Sequence, residues 1–307
     1  MEATNLVKTA AKNYTRTAIR EDYYRPISDY YDIAGPDYEA WSKNFNMHFG
    51  YCTSFSSIFS LETMLNNMNK EVLKHLKIDC EKKTSIADLG CGVGAVSRYA
   101  ARQFPLAKIT GITISDYQIN KGNSLNTQED LYDQVVMVKD NFEKLHIDDE
   151  TFTHAYALES CCHARGAGKP FFISEMARVL KTGGRFCIAD GFLKHDRKHP
   201  RLFSFIYKKI LKYWALPCFG NINELEKTLK QHGFVNITIK EISLRIAPSV
   251  AYVPWTCFKF FTKEILKNKS LRMKKERWHN VYGPVLGMIL GLYRSHFGYY
   301  IISGEKK

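Results

Sequence analysis

Ile86-Ala87-Asp88-Leu89-Gly90-Cys91-Gly92-Val93-Gly94-Ala95 is the stretch on which the reading of this 307-residue chain turns. It reads as a short buried strand, a tight glycine turn and the opening of a helix that carries Val96, Tyr99, Ala100 and Ala101. Glycine belongs where the backbone turns sharply or lets a ligand lie against it. Dinucleotide-binding turns carry much the same glycines, so these alone do not choose a ligand. Asp88 narrows the choice, because it sits two residues before the first glycine. A carboxylate there repels a pyrophosphate, which seeks bare N–H groups at a helix N-terminus, and suits a cationic ligand instead. Glycines that serve only the fold are the alternative.

Outward from this turn, strand and helix patterns alternate. Apolar runs at Thr84–Leu89, Lys108–Thr113, Gln134–Val138, Phe152–Leu158 and Arg185–Asp190 predict five strands with helices between them. Such alternation predicts a parallel α/β sheet covered on both faces, with ligands at the carboxyl ends of the strands. Asp88, Thr113, Asp140, Glu159 and Asp190 all fall at such ends. Asn223–Gly233 then reads as a helix, Val235–Ile242 as a sixth strand and Phe297–Ile302 as a final one. Residues 192–220 and 244–296 are insertions. Residues 1–80 read as a helical N-terminal lid before an 81–307 domain; Leu61, Met64, Leu65, Met68, Val72 and Leu76 mark one face of a helix there. The lid holds Tyr14, Tyr23, Tyr24, Tyr30, Tyr31 and Tyr38, read as packing residues or as a cover over the site. Tyr30-Tyr31 and His48–Tyr51 flank the Gly35-Pro36 turn signal, which places them near loops.

Hydrophobic residues make up 45% and charged residues 24% of the chain, as in an ordinary globular protein. The longest apolar candidate, Val285–Tyr293, is too short to span a bilayer, and the N-terminus has no signal-like apolar stretch. Eight cysteines include no C-x-x-C pair and no zinc spacing, which predicts reduced thiols, a cytoplasmic setting and no metal site. The net charge of +13 admits nucleic acid, an anionic membrane or an acidic substrate as partner. Much of the excess lies in the insertions. Lys194, Arg197, Lys198, Arg201, Lys208, Lys209 and Lys212 crowd the first; Lys263, Lys267, Lys269, Arg272, Lys274, Lys275 and Arg277 crowd the second. Both groups are interleaved with aromatics such as Phe203, Phe205, Trp255 and Phe258. That mixture suits a helical cap over a lipophilic substrate or a surface on anionic lipid; a solvated basic face is the plain alternative.

With its glycine turn and the motifs that follow in order through residue 190, the chain resembles the class I S-adenosylmethionine-dependent methyltransferases. The resemblance implies a Rossmann-like sheet, mostly parallel with an antiparallel last strand, a helical lid and cap insertions. It also implies S-adenosylmethionine as cofactor, held by Asp88, Gly90, Cys91, Gly92, Thr113, Ile114, Gln118, Asp140, Asn141, Phe142 and Glu159. The acid that commonly ends the second strand in this family is here Thr113, in Gly111-Ile112-Thr113-Ile114-Ser115. A hydroxyl with the Gln118 amide can still bond a ribose diol. Asp140 would accept from the adenine amino group, or else serve only as a turn former. Leu158-Glu159-Ser160-Cys161-Cys162-His163-Ala164, with Tyr30-Tyr31 and Asn46-Met47-His48-Phe49, resembles elements of sterol- and terpenoid-type C-methyltransferases.

That resemblance implies catalytic roles for Glu159, His163, His48 and Tyr31. Methylating an alkene leaves a carbocation, which needs aromatic faces and a base; Glu159 and His163 could supply charge and base. For a phenol or hydroxyl acceptor, His163 or His48 would instead be the general base. Glu159 as a mere cofactor contact and His163 as a structural histidine stay open. The expected substrate is a lipophilic small molecule, and an O- or N-methyltransferase is the alternative. Nucleic acid is not expected, since no Pro-Pro-aromatic element follows the fourth strand. A homodimer exchanging the Tyr-rich segment and peripheral membrane contact are further expectations.

Overall fold

A computed structural model describes residues 24–268 and 272–307, with no side-chain detail at 267 and 268. Tyr14, Tyr23, the Lys267 side chain and Lys269, named above, lie outside what is described. The glycine stretch sits at the centre of the sheet, as its apolar strand requires. Strand β1 (Thr84–Leu89) pairs in parallel with β2 (Ala107–Thr113) on one side and β4 (Phe152–Leu158) on the other. The full order is β3-β2-β1-β4-β5-β8-β7, with β3 at Val135–Lys139, β5 at Leu180–Leu193, β7 at Phe234–Glu241 and β8 at Phe297–Lys306. A two-residue strand β6 (Gly220–Asn221) pairs with the end of β5. Strand β8 runs antiparallel between β5 and β7, so the sheet is mostly parallel with an antiparallel last strand. The order reverses between β1 and β4, which is where such sheets bind ligands.

Period-two alternation sends neighbouring residues to opposite cores. Ala87 and Leu89 face a core closed by α5 (Pro170–Val179) and α7 (Ile222–Gln231). Ile86, Ile109, Tyr156 and Ile301 face the other, closed by α2 (Leu61–Leu76) and α3 (Ala95–Gln103). The expected stripe of α2 is buried from Leu61 to Leu76, and its entry is capped by Ser60 accepting from the Thr63 amide. This helix therefore covers the sheet rather than the site. The covering part of the N-terminal segment is α1 (Arg25–Ala34), a 3-10 turn at Gly35–Ala40 and an irregular stretch at 41–54. The helix α4 (Asp116–Gln128) is capped by Ser115 and follows β2.

The first insertion begins after β5, which extends to Leu193 rather than ending near 190, and contains α6 (Arg201–Tyr213). The second contains α8 (Ser243–Val250), α9 (Val253–Asn268) and α10 (Lys275–Leu292). The apolar Val285–Tyr293 run lies within and just after α10, where Leu290 packs with Phe203, Ile206 and Ile210 of α6. Gly283 lets the two helices close, since a Cβ there would stand 2.2 Å from Trp214 Nε1. Truncating fully buried Phe203 would remove about 3–5 kcal/mol from this small core. Among the described residues, no helix is long and apolar enough to cross a membrane.

Candidate active site

Two cavities open at the carboxyl ends of the strands, one of about 480 Å³ and one of about 90 Å³. The smaller lies over the glycine turn. Asp88, Gly90, Cys91, Gly92, Thr113, Ile114, Gln118, Asp140, Asn141, Phe142 and Glu159 all line it, so every residue expected at the cofactor shares one wall. Gly90 has φ +90°, and a Cβ on it would stand 2.3 Å from Ser160 Cβ. No other residue fits there. The buried Asp88 carboxylate accepts from the Ser97 hydroxyl at 2.6 Å and the Tyr156 hydroxyl at 2.7 Å. Burial still pushes it up to about 6. Thr113 donates to the Gln118 side-chain oxygen, and the Gln118 amide reaches Met47 Sδ at 3.9 Å.

Asp140 lines the cavity and also ties its own turn. Its carboxylate accepts from the Asn141 amide at 2.8 Å, the His146 amide at 2.7 Å and lies 3.0 Å from His146 Nδ1. Those bonds hold the 140–146 turn, as the turn-forming reading expects. Asn141 and Phe142 are what the turn presents to the cavity, and Phe142 stands edge-on to Phe172 at 5.2 Å.

The larger cavity lies under the cap, walled by α8, α9, α10 and the Trp214–Phe219 segment, and is mainly apolar and aromatic. Tyr31, Met47, His48, Glu159 and His163 border both cavities. Glu159 is the hinge between them. It follows β4 in a left-handed conformation (φ +50°), a strained choice for a residue with a Cβ. Its Oε1 accepts from the Phe49 amide at 2.7 Å and the Tyr299 hydroxyl at 2.8 Å. Burial pushes the carboxyl up to about 8; the Phe49 amide opposes the shift, the Asp190 charge adds to it and the Tyr299 hydroxyl opposes it. Asp190 is also buried, pushed up to about 6 by burial against the Gly191 and Cys162 amides that bond it. Among the described residues, no lysine or arginine lines either cavity.

His163 and Tyr31 meet directly, with the Tyr31 hydroxyl 2.8 Å from His163 Nε2. His163 Nδ1 is buried and has no hydrogen-bond partner among the described residues. Burial lowers this imidazole to about 3, aided by the Lys169 charge, so it is neutral near pH 7. His48 is arranged differently. Its Nδ1 lies 2.9 Å from the Phe49 carbonyl oxygen and its Nε2 3.2 Å from Asn46 Oδ1; burial lowers the imidazole to about 4, so the neutral ring donates its single N–H to one of these two acceptors. That geometry sets His48 beside the Phe49 amide that reaches Glu159, on the wall of both cavities.

Sequence reasoning missed three supports. Tyr299 comes from β8, far along the chain, yet shares Glu159 with Phe49. Asp32 of α1 accepts from the Ser115 hydroxyl at 2.5 Å and the Tyr117 amide at 3.1 Å, latching the lid over the glycine side of the site. Fully buried Lys169 donates to the carbonyls of Ala164 and Cys218 at 2.7 and 2.8 Å and braces the 162–164 segment. Only the paired composition of Tyr299-Tyr300 hinted at any of these.

The methyltransferase-domain family model matches residues 87–188, which hold the glycine turn, Asp140, Glu159 and His163. The chain therefore carries a methyltransferase domain of the class I, S-adenosylmethionine-dependent type. It is 28% identical over 239 residues to the sterol 24-C-methyltransferase of Saccharomyces cerevisiae, covering 76% of this chain and 58% of that one. It thus spans about three-fifths of the length of such curated relatives. Among solved structures, a cyclopropane synthase of Mycobacterium tuberculosis superposes with a TM-score of 0.78 at 14% identity, covering 92% of this chain and 98% of that one. Geranyl diphosphate C-methyltransferase of Streptomyces coelicolor superposes with a TM-score of 0.69 at 16% identity, covering 94% and 100%. These two likenesses concern the fold. The residues present fit the family's cofactor, because a glycine-floored cavity flanked by buried carboxylates without a basic wall residue suits a cationic molecule.

Proposed function

We propose that this protein methylates a carbon of a neutral, lipophilic isoprenoid alkene of sterol-like size, using S-adenosylmethionine. The carrying observation is a pair of buried carboxylates, Glu159 and Asp190, on an apolar cavity that no lysine or arginine of the described residues lines. When bound, the cofactor supplies an electrophilic methyl group. Gly90 and Gly92 would lie under it, with Thr113 and Gln118 toward the ribose and Asn141 and Phe142 toward the adenine.

This chain's own residues then manage charge. An alkene whose π pair has bonded to a methyl carbon bears a cation on its neighbouring carbon. Glu159 and Asp190 stabilise that charge in a low-dielectric site, where such effects are largest. The rings of Tyr31, Tyr38, Phe49 and Tyr299 line the same cavity and offer electron-rich faces. The reaction ends when a C–H pair beside the cation becomes the new double bond and the proton leaves. His163 Nδ1, unpaired among protein groups, takes it; a weak base suffices for so acidic a proton.

The wall chemistry favours a neutral substrate over a prenyl diphosphate, which would need cationic partners. The sterol-methylating relative supports the same class. Delivery from a membrane surface accompanies this reading. Val253, Thr256, Cys257 and Phe260 of α9 line the cavity, while Trp255, Phe258 and Leu266 of the same helix are exposed beside Lys259 and Lys263. That arrangement suits a cytoplasmic enzyme resting on anionic lipid.

The test is incubation with labelled cofactor and a panel of sterols, neutral isoprenoids, prenyl diphosphates, quinols and phenols, with the methyl located by mass spectrometry. A new C–CH3 on a neutral isoprenoid is expected. Methyl on oxygen or nitrogen, or turnover of diphosphates alone, overturns the reading. Co-sedimentation with phosphatidylserine vesicles that falls with salt is expected for the surface. Salt-independent failure to bind, or burial of α9 in a sedimenting homodimer, would refute the membrane role.

A further inference from the structure

Outside the two cavities, three histidines converge at the rim of the cap, a grouping that the cysteine-based expectation of no metal site did not consider. His195 and His199 lie between the end of β5 and α6, and His296 immediately precedes β8. One ring nitrogen from each falls within 4.8 Å of the other two. We propose that His195, His199 and His296 bind a first-row transition dication of the zinc type, which ties together the feet of the two cap insertions.

The orientation of each ring supports ligation. His195 Nε2–H donates to the Ser295 carbonyl at 3.0 Å, which fixes the tautomer and leaves Nδ1 with the lone pair. Metal-bound histidines commonly hold their second nitrogen this way. The Arg197 amide donates to that Nδ1 at 3.2 Å, a long bond that a cation replaces. His199 Nδ1 and His296 Nδ1 face each other at 3.0 Å, so one proton lies between two lone pairs directed at one point. A cation with bonds of about 2.0–2.1 Å sets tetrahedral ligand atoms roughly 3.3 Å apart. Small ring rotations reach that spacing from the one observed. Phe203 limits other movement, stacking on His199 at 4.5 Å and standing 5.4 Å from His296.

Nearby charges do not compete for the position. Lys194 Nζ pairs with Glu241 at 2.7 Å, and the Asp196 carboxylate accepts from Asn221 at 2.6 Å. Imidazole-only donors suit zinc, copper or nickel over magnesium or calcium. The site has no carboxylate to bind a substrate diphosphate through magnesium, and it stands outside both cavities, so its role is to brace. Binding a cation here crosslinks α6 and its approach to the segment that carries Phe297 into the cavity wall.

The test uses the full chain after treatment with EDTA and dialysis, titrated with Zn2+ by calorimetry and with Co2+ by visible absorption. One equivalent is expected, with proton release and d–d bands lacking thiolate charge transfer. His199→Ala and His296→Ala should each weaken Zn2+ binding about a hundredfold or more, while His232→Ala leaves it unchanged. Zn2+ should slow hydrogen exchange in 201–213 and 275–292 in the parent and not in His199→Gln. Thiolate bands, or affinity in His199→Ala within threefold of the parent, would overturn the proposal, as would exchange equally slowed in the variant.

Discussion

Glu159→Gln tests the charge argument without altering the site's shape. The amide oxygen of glutamine can still accept from the Phe49 amide and the Tyr299 hydroxyl, which bond Glu159 at 2.7 and 2.8 Å. What disappears is one negative charge beside the developing cation. Two unit charges about 4 Å apart at an effective dielectric constant of about 20 interact by about 4 kcal/mol. At about 1.4 kcal/mol per tenfold, the chemical step should slow on the order of 1000-fold. Burial pushes Glu159 up to about 8, so a cation bound beside it must draw off its proton. Cofactor affinity of the parent should therefore rise with pH, by up to about tenfold per pH unit below 8, and lie nearly flat in the variant above about pH 6, below which Asp88 and Asp190 still take up protons. Of the groups facing it, Asp190 titrates near 6, while Tyr31 and Tyr299 are held neutral well above and His163 well below this range. Folding stability shows the complementary sign. The native carboxyl keeps its proton after the unfolded one, near 4.5, has lost its own. The parent therefore loses up to about 1.4 kcal/mol per pH unit between pH 5 and 8, a slope that glutamine removes. Single-turnover rates, calorimetric cofactor affinity and thermal unfolding across pH provide the measurements. Equal losses in rate and cofactor affinity at pH 8 would reduce Glu159 to a cofactor contact. An unchanged rate would refute the electrostatic reasoning outright.

Gly90→Ala places a Cβ 2.3 Å from Ser160 Cβ at a φ of +90°; cofactor affinity should fall about a hundredfold or more by calorimetry, the backbone strain alone costing about 1–2 kcal/mol. Asp32→Ala removes the acceptor for Ser115 and Tyr117 and frees α1. About 1–2 kcal/mol of lost bonding predicts roughly tenfold faster cofactor release in stopped-flow fluorescence, with the chemical step unchanged. His163→Ala should lower the steady-state rate by about 100-fold or more if the residue takes the final proton, with cofactor affinity within twofold of the parent; full activity removes it from the mechanism.

Most of the sheet was legible in the chain because each strand carries its own record. An apolar run of five to seven residues between turn signals needs no knowledge of its neighbours, and β1 and β4 are found within a residue of where such runs place them. The expected end of β5 near 190 fell short because Gly191-Phe192-Leu193 continues by pairing with Phe297–Tyr299 of β8 and with β6, contacts made by residues distant in the chain. The same distinction separates the two halves of the site. Asp88, Gly90, Thr113 and Glu159 sit in short contiguous motifs, so their place at strand ends follows from local pattern. Asp32, Lys169 and Tyr299 act across long sequence separations, and periodicity reveals only which face a side chain takes, not what lies opposite. Asp140 shows the reverse limit: its position was legible, but the amides that occupy its oxygens depend on the turn it closes.

Glu159 joins both kinds of information. Its identity is written in a local motif, while its chemistry is assembled from the 46–50 loop, β4, β5 and β8. A carboxylate exposed to water at the same point in the chain would titrate as an ordinary acid and stabilise a cation weakly. The left-handed backbone at Glu159 turns that side chain away from solvent and toward the Phe49 amide and Tyr299. Strain of this kind persists only where surrounding packing over-determines it. Here that packing is the cap and lid which also shape the apolar cavity. The features that make the carboxyl reluctant to ionise alone are therefore those that make it responsive to a bound positive charge, so in the proposed reaction binding and catalysis would share one electrostatic origin.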